Sequence, residues 1–405
     1  MRTLAERLAS LRTLEPVAAP AAPRLTDVAS LSAALGGVVD RAGDVIVVER
    51  SAELPPSVAE WLPRSDGAGY FDTETTGLST GSGTVVFLAA VGRVARGRLV
   101  VRQYLLADYP GERRLLDLVA SDLAGGERVV SYNGRAFDMP LLFGRLALHG
   151  LHAAAAALPD AHDDLLHPAR RVWRRTLGSV RLAELERTVL RVHRGSDCAS
   201  WEIPSRFFAY LRGAPAEVLR EVVDHNAQDV ASLVLLEAEL SRLRGGGWRT
   251  ARSIDPRGMA LELLRADAAA DAVELLEAGA ENCSDAGEAA RLRRLAARLL
   301  VGSGHVERAE AVWRAATGRA TVDAAYSWIE IARLRERHRG DVAGALEAAD
   351  AASRVLDLAL ALGRGGAIAE IARARIAVEG RRRRLRRRVA VAARRRGAPA
   401  LRHVA

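Results

Sequence analysis

The spacing of apolar and polar positions changes character along this chain. From Gly67 to about Leu243, short β-rich runs alternate with helical ones. GYFDTETTG predicts a strand ending in a glycine turn, and TVVFLAAVGRV and RLVVRQYLL predict two more, joined as a hairpin through Ala95-Arg96-Gly97-Arg98. GERRLLDLVASDL has helical spacing, with Leu115, Leu118, Val119 and Leu123 on one face. ERVVSYN predicts a short strand, and DMPLLFGRLALHG a helix stopped at Gly150. Three further helices are predicted over DDLLHPARRVWRRTL, VRLAELERTVL and VVDHNAQDVASLVLLEAELSRL. Three strands, then helix, strand and helices, predict an α/β fold: a mixed sheet flanked by helices, over 66–243.

The flanks differ. Residues 1–65 combine a short helical start, a Pro/Ala stretch (PVAAPAAPRL) and a strand-like DVIVVERS, which predicts an N-terminal arm or small lobe. Gly245-Gly246-Gly247 predicts a linker, and beyond it the pattern is almost wholly helical. There Leu292, Leu295, Ala296, Gly304 and Ala309 recur at an offset of 36 as Trp328, Ile331, Ala332, Gly340 and Ala345. A period of about 34 marks helix–turn–helix arrays, and 255–380 resembles tetratricopeptide repeats; the other reading is an ordinary Ala-rich bundle.

Composition adds three constraints. The 405 residues are 49% hydrophobic, enough for two or three cores and too much for wholesale disorder. Cys198 and Cys283 cannot build a disulfide framework, which fits a reducing, cytoplasmic setting. The charged start of the chain does not read as a secretory signal, and no 18-residue apolar run predicts a membrane span. The net charge of +9 is local: residues 381–405 hold eleven Arg and no acid, leaving 48 basic against 50 acidic residues elsewhere. This Arg-rich tail reads either as a solvated helix end or, the reading we favour, as a contact for nucleic-acid phosphates.

The candidate chemistry is acidic. In Asp72-Thr73-Glu74 on a strand, both carboxylates point to one side, where their repulsion is relieved by a divalent cation. Asp138 sits near the start of a helix, where its plain reading is an N-cap. His225 and Asp229, at i and i+4, share a helix face, which places a proton acceptor beside an oxygen ligand. Asp164 is expected to cap its helix. His162 and His167 are five apart, which rules out a same-face zinc pair. Gly81-Ser82-Gly83 is an ordinary loop.

Taken in order, Asp72 and Glu74, then Asp138, then His225 with Asp229, resemble the three motifs of the DEDDh exonuclease superfamily, whose fold is ribonuclease H-like. SYNGRAFDMPLL, HDDLLHPARRVWRRTL with RLAELE, the Ile203-Pro204 pair and HNAQDVASL bring the resemblance closer to YprB-type proteins, in which helical repeats also follow the nuclease-like domain. The chain departs from that pattern at Asp197-Cys198-Ala199-Ser200, where a DIPG-like turn is usual. The resemblance implies a 3′–5′ exonuclease acting on single-stranded DNA or RNA ends with two divalent ions, Mg²⁺ or Mn²⁺. It makes Asp72 a bridging ligand, with Glu74 and Asp229 on the nucleophile's ion, Asp138 acting mostly through water on the second, and His225 the general base. Thr75, Thr76 and Gly77 would meet the terminal nucleotide, or serve only the turn. Asn133 would touch sugar or phosphate, or cap a strand end. The alternative is a noncatalytic nucleic-acid-binding scaffold that recruits a protein partner through its helical repeats.

Overall fold

The structure is a computed structural model, described for residues 28–62, 67–77, 83–195, 198–363 and 366–397, with the side chains of 395–397 left aside. The Pro/Ala stretch, Gly81, Ser82, Asp197 and Arg402 lie outside the described residues. Two compact units divide the chain: residues up to Ala169 with Ser179–Ser241, and Arg170–Gly178 with the residues from Arg242 onward.

The first unit is built on a seven-stranded mixed sheet. Its elements begin with α1 (Val28–Leu35), β1 (Val38–Val39), β2 (Val45–Glu53) and α2 (Pro56–Ala59). Next come β3 (Ala68–Thr75), β4 (Val86–Ala95), β5 (Arg98–Leu106), α3 (Glu112–Ala124) and β6 (Arg128–Ser131). They are followed by α4 (Asp138–Leu148), α5 (His152–Ala156), β7 (Ala161–Asp164), α6 (Leu166–Leu177, whose residues from Arg170 belong to the second unit), α7 (Leu182–Leu185), α8 (Ile203–Leu211) and α9 (Arg220–Arg244). The strand order is β1-β2-β5-β4-β3-β6-β7. Pairing is antiparallel from β1 through β3 and parallel from β3 through β7.

The β4–β5 hairpin turns through Arg96 (φ 51°) and Gly97 (φ 77°), two left-handed residues whose twist matches that of the strands. Leu115, Leu116, Val119, Ala120 and Leu123 bury one face of α3, with Leu118 partly buried beside them. Phe87 stacks on Phe207 of α8 at a centroid separation of 4.2 Å, joining sheet to helix.

Two parts of this unit differ from the sequence expectation. Residues 28–62 do not stand apart as an arm or lobe. Nine residues of β2 pair along β5, and Leu31, Leu35, Val45, Ile46 and Val48 enter the same core as Phe71 and Leu105. Only the first half of β2 is buried, so its sequence carries half a strand's apolar signal. The stretch HDDLLHPARRVWRRTL is not helical from its start: Ala161–Asp164 forms β7, parallel to β6. Its composition, AHDD, offers no β-branched residue, so only pairing with β6 selects the strand.

The second unit is helical. It holds α10 (Pro256–Arg265), α11 (Ala269–Glu281), α12 (Ala286–Gly302), α13 (Val306–Ala315), α14 (Val322–His338), α15 (Val342–Ala361) and α16 (Ile368–Gly397), each packed on the next. The offset of 36 is legible in it: α12 and α14 start 36 residues apart, as do α13 and α15. Asp285 and Thr321 cap the first helix of each pair, and Gly304 (φ 82°) and Gly340 (φ 65°) make the turns. Ala296 and Ala332, and likewise Ala309 and Ala345, are buried where the helices meet. Gly258 on α10 lies against the Arg171 backbone, where an added Cβ would fall 1.6 Å from the carbonyl oxygen. Gly258→Ala is therefore expected to cost at least about 3 kcal/mol, because backbone must move. Thermal unfolding measures this, and an unchanged midpoint would contradict the packing.

The Arg-rich segment is no loose tail over its described part; it continues α16. Leu385 is buried, Arg381 (3.1 Å), Arg384 (2.6 Å) and Arg388 pair with Glu336, and Arg382 pairs with Asp350 at 2.6 Å. Arg383, Arg387 and Arg394, spaced by four and seven residues, remain on an exposed helical stripe. Among the described residues no helix is long and apolar enough to cross a membrane.

Candidate active site

The site lies where the sheet changes from antiparallel to parallel. β3 is flanked by β4 on one side and β6 on the other, and the chain leaves β6 toward α4. Strand ends beside such a reversal open a crevice suited to ligands. Asp72 and Glu74 stand opposite Ala90 and Leu88 on β4, just before a bulge at Glu74/Thr75. The four residues from Tyr70 to Thr73 pass from buried to partly exposed positions, so apolar burial in the first half of β3 fixes the acids in the second.

Asp138 is the first residue of α4 and not its cap, which is Phe137. Its carboxylate instead accepts a hydrogen bond from the Thr73 hydroxyl, tying α4 to β3. Gly134 makes that approach feasible, because a Cβ there would lie 2.3 Å from Ser131 Oγ and 3.2 Å from Asp138 Oδ2. Asp164 caps α6 through the Leu166 amide (3.0 Å) and also accepts from the amides of Asn133 (2.7 Å) and Arg135 (3.2 Å). It thus holds the β6–α4 loop, with Asn133 in the left-handed conformation (φ 65°).

On α9, His225 and Asp229 face the strand acids, with His225 Nε2 3.6 Å from Asp229 Oδ2 and 3.9 Å from Glu74 Oε1. Asn226, buried between them and β5, donates from Nδ2 to Asp72 Oδ2 at 2.8 Å. Gln103 on β5 donates to Asn226 Oδ1 (3.0 Å) and to the Val223 carbonyl (2.8 Å), which orients the Asn226 amide toward Asp72. The Thr75 hydroxyl donates to the Gly77 carbonyl (2.7 Å), and the Thr76 hydroxyl accepts from the Val85 amide (3.0 Å), so both hydroxyls serve the turn.

Electrostatics single out Asp72. It retains some accessible surface, yet protein atoms crowd its carboxyl, and this burial is the main reason its pKa is pushed well above the usual carboxylate range. The charges of Asp229, Asp138 and Glu74 push it the same way, while the Asn226 hydrogen bond opposes them. Burial raises Asp138 to about 6, against the pull of the Thr73 hydrogen bond. Asp229 is raised by burial too, less so because His225 and Arg194 stand beside it. Excess negative charge held in one place is what a hard divalent cation relieves.

Arg194, Glu186 and Asn226 were not legible as site residues. Arg194 follows a wide helical turn over Glu186–Leu190 that ends in left-handed Arg191 (φ 59°). Its Nε and Nη2 donate to Glu186 at 2.5 and 2.7 Å, Nη2 also donates to Asp229 Oδ1, and Nη1 lies 3.1 Å from His225 Nδ1. A guanidinium only donates, so Nδ1 is the acceptor and the neutral ring carries its hydrogen on Nε2. As the side chains stand, no three His, Cys, Asp or Glu among the described residues close on one point as a metal site would. The donor set nevertheless fits Mg²⁺ or Mn²⁺: four carboxylates, all-oxygen, mutually repelling.

Comparison with known proteins bears on the domain that carries these residues. An uncharacterized protein, YprB of Bacillus subtilis (strain 168), is 35% identical over 174 residues, covering 43% of this chain and 41% of that protein. The chain therefore matches less than half of that relative's length. Residues 69–241 match the RNase_H_2 model of the RNase_H superfamily, so the mixed sheet with its flanking helices is ribonuclease H-like.

Proposed function

We propose that this protein is a metal-dependent 3′–5′ exonuclease that hydrolyses phosphodiester bonds at single-stranded nucleic-acid ends. The observation that carries the reading is the Asp72 carboxyl, raised by burial and by three neighbouring acids, with His225 on the facing helix. The ribonuclease H-like fold suggests a nuclease; direction and strand preference rest on the motif order.

Asp72, Glu74, Asp138 and Asp229 would hold two divalent ions, which when bound activate the attacking water and stabilise charge on the leaving oxygen. Asn226 holds Asp72 in one orientation, and Gln103 holds Asn226. Thr73 positions Asp138 from the neighbouring strand. His225 would take the proton of the attacking water at Nε2 when that nitrogen is free of hydrogen. Asn133, presented on a loop that Asp164 fixes, is available to the terminal sugar or phosphate.

The test uses 5′-labelled single- and double-stranded DNA and RNA with Mg²⁺ or Mn²⁺. A ladder of single-nucleotide steps on single strands is expected. Wild-type turnover no greater than that of Asp72→Asn would overturn the enzymatic reading and leave the scaffold. Arg383, Arg387 and Arg394 supply an exposed cationic stripe for the phosphate backbone. Replacing all three by Glu should weaken binding to single strands and reduce the slope of log affinity against log salt by about 2. An unchanged slope would show that this stripe does not meet nucleic acid.

A further inference from the structure

The contact that Arg194 makes with the cluster has chemical consequences for both parts of the machinery. Its guanidinium is anchored by two hydrogen bonds to Glu186, whose side chain is only 2% exposed. Ser232 also donates to Glu186, at 2.5 Å, so this anchor is held from two sides. From it, Arg194 reaches Asp229 Oδ1 and His225 Nδ1 together. One cation therefore covers an oxygen of a candidate metal ligand and fixes the tautomer of the candidate base.

That tautomer is the wrong one for accepting a proton at Nε2. With Nδ1 accepting from Arg194, the ring hydrogen sits on Nε2, the nitrogen nearest Glu74 and Asp229. A ring in that state donates toward the carboxylates and cannot take a proton there from water. Meanwhile the charge of Arg194 offsets the repulsion among the acids that a divalent ion would otherwise relieve.

We propose that Arg194 is a resident counter-cation that holds the site in a resting state, covering Asp229 and locking His225, and that divalent ions must displace it before the site can act. The proposal rests on the metal-dependent reading of this cluster. It makes Arg194 a positioning residue that sets the metal requirement. Glu186 keeps the guanidinium tethered nearby after displacement, so the arrangement is reversible.

The experiment is Mn²⁺ binding to the full-length protein by titration calorimetry, with nitrogen-15 NMR of the His225 ring as a second readout. Asp72→Asn establishes which binding belongs to the cluster. Arg194→Gln is expected to tighten that binding about tenfold, the scale of one lost charge-assisted contact. Arg194→Lys keeps the charge but loses the planar fork that spans Glu186, Asp229 and His225, so it should tighten binding as well. Because Arg194→Gln leaves Glu186 buried without its partner, the double variant Arg194→Met with Glu186→Gln repeats the test with that charge removed. The His225 ring should show hydrogen on Nε2 in the metal-free wild type and lose that preference in the Arg194 variants.

Binding that is equal or weaker in all three Arg194 variants, or a ring tautomer indifferent to Arg194, would overturn the proposal while leaving the nuclease reading intact. Tightening by Gln but not by Lys would reduce Arg194 to a distant charge and also overturn it. If neither wild type nor any variant binds Mn²⁺, the metal reading fails and this proposal fails with it.

Discussion

Asp72→Asn is expected to abolish metal-dependent nucleolysis and, in the absence of metal, to make the protein more stable. The two effects have one cause. Asp72 is held among Asp229, Asp138 and Glu74, with its carboxyl pushed well above the ordinary range. Such an acid keeps its proton in the folded state at pH values where the unfolded chain has already released it. The folded state then binds more protons than the unfolded one, and the stability of the metal-free protein falls as pH rises. The window opens near the unfolded carboxylate range, at about pH 4. For Asp138 it closes as pH passes about 6, and for Asp72 it extends upward in the same direction. An amide of the same shape removes the penalty, and a gain on the order of 1–2 kcal/mol at pH 7.5 is expected. Thermal unfolding in chelator checks it. Mn²⁺ should raise the wild-type midpoint more at pH 7.5 than at pH 5 and leave Asp72→Asn almost unmoved. A wild type that is equally stable at both pH values without metal would contradict the electrostatic picture.

His225→Gln is expected to separate chemistry from metal binding. Loss of a general base costs about 10²–10⁴-fold in rate. His225 Nε2 lies 3.6 Å from Asp229 Oδ2 and 3.9 Å from Glu74 Oε1, and an imidazole supplies no oxygen, so its removal takes none from the ligand set. Single-turnover cleavage should therefore slow by that factor while Mn²⁺ affinity stays close to wild type. Loss of Mn²⁺ binding with the rate would instead make His225 a structural support of the cluster.

Much of this site was legible because its residues obey local rules. Asp72 and Glu74 follow the two-residue period of a strand, and His225 and Asp229 the four-residue spacing of a helix. Arg194 obeys neither: it is one Arg among many in an irregular stretch, and its importance comes from Glu186, eight residues back, and Asp229, thirty-five ahead. Asn226 was visible within its motif, but its role depends on Gln103, a polar residue in a β-rich run whose partner lies 123 positions away. Asp164 was read as a cap, which it is, while its hold on the Asn133 and Arg135 amides needed β7 to lie beside β6. The fold shows the same division. Hairpin and helix rules reached β3, β4, β5 and α3, whereas β7 exists only because a neighbouring strand offers it hydrogen bonds.

The pairing of β2 along β5 also separates ancestry from foldability. The family match begins at residue 69, yet a chain starting there would lack the strand that covers β5 for nine consecutive residues. Every second residue of β5 would then present an unpaired amide and carbonyl along a sheet margin already rich in Val and Leu, a ready template for self-association. Among the described residues the sheet ends at the two-residue, exposed β1, too short to recruit another strand. The segment upstream of the recognisable domain thus acts as its selvedge, keeping the sheet from being stitched to a second copy.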